Sequence, residues 1–272
     1  MRIDEYVAKR KYALKPSTLQ RHVEALRTFE RITGCHDREP TLEDVEFFLD
    51  SFERAGLKHT TVSVVICSAL KQYFKLFHPQ LVPELERIFE MRKPKVSISD
   101  FRSVHLTKDD IREIISRLKL PHNLIIAMMY SFCRRLGEVL ALEKKDVTKT
   151  TITFNIYKKK GLMRVVMPMD LLPEKWRDTL FIWMDMVRGS KVFPITKKAV
   201  EIAFKKVVRK IGKENAKVHD VRHARIRHLL DDGVDPWIIK DKLSFHEHMS
   251  MIWDIYGKLK PNYKVEVPKA DI

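Results

Sequence analysis

Four short stretches of this chain carry side chains able to act on an anionic substrate. Arg134 and Arg135 stand before Leu136-Gly137-Glu138, an Arg-x-x-Glu pair. Lys158, Lys159 and Lys160 precede Gly161 in a basic turn. His219 and Arg222 are spaced i,i+3 in His-Asp-Val-Arg-His, and His246, His248 and Trp253 come shortly before Tyr256. A guanidinium is always charged and presents a planar fork of donors that fits phosphate oxygens. An imidazole passes protons near neutral pH. A phenol, with a pKa of about 10, becomes a nucleophile only where positive charge or a base removes its proton. Taken singly, each stretch is ordinary: a helical ion pair, a solvated turn, a half-buried tyrosine. Their conjunction in one chain points to a site.

The charge balance says what that site would meet. Lys and Arg number 52 against 36 Asp and Glu, a net charge of +16 over 272 residues. Such a field attracts polyanions, because each phosphate neutralised releases condensed counterions, so nucleic acid is the expected partner. The three cysteines, Cys35, Cys67 and Cys133, are far apart and form no CxxC, so neither a disulfide framework nor a zinc site is expected. The charged N-terminus lacks the apolar core of a secretory signal. The longest apolar stretch, Leu124 to Cys133, is half of what a membrane span needs, so a cytoplasmic protein without a membrane partner is expected.

The elements that must position these residues follow from periodicity. Ser17 and Gln20 read as a capping box before Val23, Leu26, Phe29 and Ile32 at helical spacing. Thr41 and Asp44 open a second helix that ends near Gly56, a third runs from about 60 to 77, and a short fourth follows Pro83. Met91 to Val104 loses periodicity and reads as a linker. Thr107 then caps a helix, and Pro121 opens the next. Ile152, Phe154 and Ile156 alternate with polar residues, and a second β-branched run leads to Pro168, the pattern of two strands joined by the lysine turn. Helices are expected again at about 173–187, 196–211 and 220–230. The chain should be mainly α: a small all-helical N-terminal domain over residues 1–93, a linker at 94–104, and a mixed α/β domain over 105–272, mostly α with one small antiparallel sheet.

The ordered series Arg-x-x-Glu, hairpin lysine, His-x-x-Arg, His and Tyr resembles the tyrosine recombinase (phage integrase-type) family, and its divergent form is similar to integrases of archaeal viruses and plasmids. The resemblance covers the whole chain, residues 1–93 as a core-binding DNA-binding domain and 105–272 as the catalytic domain. It pairs Arg135 with the family's first arginine, Lys160 with the hairpin lysine, and His219 and Arg222 with the His-x-x-Arg pair. Tyr256 pairs with the nucleophile and His246 with the remaining histidine. Two departures stand out. Phe132-Cys133-Arg134 replaces the usual Thr-Gly-Leu, which leaves Arg134 as a second candidate for the first arginine. Leu243-Ser244-Phe245 stands where Leu-Gly usually precedes the histidine, so His246 has His248 as its alternative, and Lys158 and Lys159 remain alternatives to Lys160.

The resemblance implies a site-specific DNA recombinase that breaks and rejoins strands through a 3′-phosphotyrosyl intermediate, without metal or other cofactor. It implies duplex DNA as partner and a homotetramer on the synapse, with the tail Gly257 to Ile272 as an exchange element, since Val265 and Val267 alternate with charges. The competing readings are a noncatalytic DNA-binding protein of the same fold, and a metal-dependent nuclease using His219, His223, His246 and His248.

Overall fold

The computed structural model describes residues 1–95, 104–158, 161–245 and 267–272. Contacts divide the chain into two units, Met1–Phe101 and Arg102–Ile272. Of the expected linker, residues 96–103 lie outside the described residues.

The first unit is helical: α1 (Ile3–Arg10), α2 (Pro16–Thr33), α3 (Leu42–Ser51), a π-helical turn (Thr61–Ile66) continuing as α4 (Cys67–Phe77), and α5 (Val82–Arg92). Its core gathers Leu26 and Phe29 of α2, Val45 and Phe48 of α3, Leu70 and Phe74 of α4 and Leu85 of α5, all at helical spacing. Thr41 caps α3 as expected: its hydroxyl accepts from the Asp44 N–H (3.2 Å), and Asp44 accepts from the Thr41 N–H (2.8 Å). Ser17 does not cap α2. Pro16 occupies the first helical position, where its fixed φ and missing N–H cost nothing, so the helix begins earlier, with Lys15 as the cap and Ser17 inside the first turn. Two further differences are local. α1 buries only Ile3 and Tyr6, too short a stripe to read as periodicity, and the start of the third helix widens to π geometry where β-branched residues stiff at χ1 crowd together.

The second unit is built around α7 (His122–Ser131), whose residues from Leu124 onward are all buried. It packs against α6 (Lys108–Arg117), α9 (Glu174–Met186), α10 (Lys197–Lys210) and α11 (Val218–Asp231), with α8 (Leu136–Leu140) following it in the chain. Burial on all sides explains why α7 shows an apolar run rather than a stripe. Among the described residues the only sheet is an antiparallel pair, β1 (Thr151–Lys158) and β2 (Gly161–Pro168), in register from Thr151 opposite Pro168 to Lys158 opposite Gly161. Ile152, Phe154 and Ile156 point into the core, as their alternation requires, joined by Val165 and Met167. After α11 come α12 (Pro236–Ile238) and a π-helical segment, Ile239–Ser244.

The final residues dock on their own unit. Arg225 Nη2 donates to Pro268 O (2.6 Å), the Ala270 N–H donates to Leu171 O (3.4 Å), Arg112 pairs with Asp271, and Val267 and Ile272 pack on the core. Residues 257–266 of the expected exchange tail lie outside the described residues. No helix among the described residues is long and apolar enough to cross a membrane.

Candidate active site

The buried helix α7 ends at a turn that aims two arginines. Cys133 adopts a left-handed backbone (φ 54°), a conformation that costs most residues energy, and it does so at the position that the family resemblance pairs with a glycine. Beyond it the chain separates two side chains of opposite exposure: Arg134 is 0% exposed, whereas Arg135, the N-cap of α8, is 45% exposed. Glu138, one turn into α8, ties Arg135 down at two points. Arg135 Nη1 donates to Glu138 Oε1 (2.8 Å), and the Arg135 N–H donates to Oε2 (3.1 Å).

The N-terminus of α11 supplies the opposite side. Asp220 accepts from the Lys217 N–H (2.8 Å), fixing the first turn and setting His219 and Arg222 one turn apart. Arg222 is 1% exposed, and its fork reaches two separate elements: Nη1 donates to Cys133 O and Nη2 to Ser244 O, both at 2.6 Å. The same Nη1 lies 4.0 Å from Glu138 Oε2. The residue after Ser244, Phe245, is also left-handed (φ 53°) and closes the π-helical segment through its N–H to Lys240 O (2.7 Å). Both departures from the family pattern, at Cys133 and at Phe245, are thus non-glycine residues held in the conformation that glycine takes most easily. Each adjoins or carries a carbonyl bonded to Arg222.

His219 and His223 sit edge to face, with ring centroids 4.7 Å apart. His219 as a residue is exposed, yet desolvation by crowding around its ring and then the charges of His223, Arg222, Arg135 and Lys197 lower its pKa to about 3. Burial and the charges of Arg222, Arg227 and Arg135 lower that of His223 to about 4. Both imidazoles are therefore neutral at physiological pH. The arrangement is a cationic wall, with Arg135, Arg222 and Arg134 around one carboxylate, bordered by a neutral imidazole able to accept a proton.

Of the residues singled out in the sequence, the structure brings together Arg135, His219 and Arg222. Lys159, Lys160, His246, His248 and Tyr256 lie outside the described residues, as does the side chain of Lys158. Glu138 was visible within its motif without a catalytic role, and His223 only as a ligand in the metal-dependent reading. The closeness of Lys197, at the start of α10, leaves no sequence signal because it depends on how α10 packs. Among the described residues, no group of three or more His, Cys, Asp or Glu side chains is placed to hold a metal ion.

Comparison with known proteins matches residues 105–262 to the phage integrase family. The chain is 28% identical to tyrosine recombinase XerA of Pyrococcus horikoshii, over 86% of this chain and 81% of that protein. It is 27% identical to XerA of Pyrococcus furiosus, over 86% and 82%. Among solved structures, a lambda integrase dimer bound to a COC′ core site superposes with a TM-score of 0.72 at 16% identity, covering 97% of this chain and 79% of the other. A lambda integrase tetramer bound to a Holliday junction superposes with a TM-score of 0.70 at 16% identity, covering 97% and 79%. These likenesses establish the fold: a mainly helical chain with a small antiparallel sheet.

Proposed function

The chain belongs to the phage integrase family and is a tyrosine site-specific recombinase, and from that premise we propose that Tyr256 attacks a phosphodiester held by Arg135 and Arg222. The Tyr256 oxygen bonds to phosphorus, the bond to the 5′ oxygen breaks, and a 3′-phosphotyrosyl link and a free 5′ hydroxyl result. His219 takes the phenol proton. Lys160, or Lys158 or Lys159 beside it, supplies one to the leaving oxygen, and His246 donates a hydrogen bond to the phosphate, with His248 as the alternative. The left-handed residue immediately before His246 supports that choice. Attack by another strand's 5′ hydroxyl reverses the step and rejoins DNA.

The observation that carries this reading is the convergence of Arg135 and Arg222 on Glu138 beside a neutral His219. Charge developing on nonbridging oxygens is stabilised by cations fixed in advance, without reorganisation during the step. Incubating the protein with nicked duplex from a candidate attachment site tests it. A covalent protein–DNA adduct is the expected result, and its absence across active preparations would refute the reading.

The substrate is duplex DNA, as in the lambda integrase complexes, and the net charge of +16 supports it. A protein neutralising about 6–10 phosphates loses roughly 10³–10⁵ in affinity between 50 and 200 mM salt, so a steep log–log slope is expected in a binding titration. A flat slope would point to a partner other than a polyanion. Strand exchange joins two duplexes, so the working assembly is a tetramer on the synapse, with residues 1–93 as a DNA-gripping domain and the tail as an exchange element whose last residues, docked here on their own unit, transfer to a neighbour. The protein acts on DNA inside the cell.

The depressed pKa of His219 gives a pH prediction. A base works when unprotonated, so lowering its pKa from the ordinary 6.5 to about 3 moves the acidic limb of the free enzyme downward. The cleavage kcat/KM, which reports free-enzyme ionisations, should stay level as pH falls through 6.5. A limb with its midpoint there would show that His219 is not the base or retains an ordinary pKa.

A further inference from the structure

Arg134 is wholly buried, and nothing in the mechanism above uses it. Its Nε donates to Phe132 O (2.9 Å), and its guanidinium carbon lies 5.6 Å from the Phe154 ring centre and 5.1 Å from that of Phe245. Nη1 and Nη2 have no hydrogen-bond partner among the described residues. A cation away from water with two unpaired nitrogens is costly to bury, and an apolar side chain of similar volume would serve packing as well or better.

What its charge faces is Glu138. Arg134 Nε lies 3.9 Å from Glu138 Oε2, the oxygen that is also 4.0 Å from Arg222 Nη1, while Oε1 accepts from Arg135 Nη1 at 2.8 Å. Three guanidiniums against one carboxylate leave two net positive charges; without Arg134 they would leave one. We propose that Arg134 is a positioning residue for strand cleavage: a buried cation that holds Glu138 from behind, so that Arg135 and Arg222 keep their positive field for the scissile phosphate. This rests on the phosphate-binding reading of Arg135 and Arg222. Burial and then the charge of Arg222 lower the Arg134 pKa to about 10, so it stays charged at neutral pH and shares its field with Arg222. An incoming phosphate relieves the repulsion among the three cations, which makes the unit more stable with an anion bound.

The test compares the full-length wild type with R134M and R134K. Thermal melting is followed as inorganic phosphate is titrated, and single-turnover adduct formation on nicked duplex is measured beside duplex affinity. R134M should melt no lower than wild type without phosphate and gain less from phosphate. Its adduct rate should fall about tenfold or more, the scale seen when partners one step behind a site are removed, with duplex affinity unchanged. R134K, which keeps the charge, should recover part of both. A phosphate shift in R134M equal to that of wild type, or an unchanged adduct rate, would overturn the proposal. If R134M melts early, R134K decides: a folded lysine variant that still forms adduct supports the charge, and a folded one that does not refutes it. If the wild type itself forms no adduct, the cleavage reading fails, while the phosphate shift still judges Arg134.

Discussion

Replacing Tyr256 by Phe is expected to abolish the covalent adduct and strand joining while leaving duplex binding intact. The change removes one oxygen, and without it position 256 cannot hold the broken strand through a phosphotyrosyl bond. Tyr263 and Tyr157 also offer phenols near basic residues, but only Tyr256 follows the paired histidines at a suitable distance, the family spacing from it falling on Glu247 between them. Peptide mapping of the trapped adduct decides: a linkage at Tyr263, or cleavage by Y256F, would move the nucleophile elsewhere.

The two arginines should fail differently when each is replaced by alanine. Each loses a group that stabilises charge on the phosphate, so adduct formation should drop by roughly 10²–10³ or more in both. Arg135 is half exposed, and its loss leaves Glu138 with Arg134 and Arg222 still about 4 Å away, so melting should change little. Arg222 is buried, and its loss removes the charged hydrogen bonds that it donates to the carbonyls of Cys133 and Ser244. A hydrogen bond from a charged group contributes about 1.5–3 kcal/mol, so R222A should also melt clearly lower. Lysine is no substitute there, because one ammonium cannot reproduce a planar fork that bonds two separate elements. Equal melting of R135A and R222A, or normal cleavage by R222A, would show that Arg222 does not join these elements or does not serve the phosphate.

Local chemistry made much of this molecule legible from residues alone. The Thr41 and Thr107 caps, the hairpin from Thr151 to Pro168 and the placement of His219 and Arg222 on one helical turn all follow from interactions within a few residues. Such interactions leave a pattern in order and spacing. The ordered series of Arg, Lys, His, Arg, His and Tyr likewise pointed to the family, because one reaction needs those types together. The failures were local as well: Pro16, whose ring suits the first helical position, moved the cap back from Ser17 to Lys15, and α1 was too short for periodicity to register.

Tertiary structure decided what depends on distant partners. The sequence by itself determined that Arg134 and Arg135 are adjacent cations. It could not determine that the left-handed turn at Cys133 sends one into the core between Phe154 and Phe245 and the other to the surface. Nor could it set the pKa of His219, which falls because packing of α7, α8, α10 and α11 brings Arg135, Arg222 and Lys197 around a partly desolvated ring. Burial and through-space charge are properties of where elements meet, and residue order alone does not encode those distances.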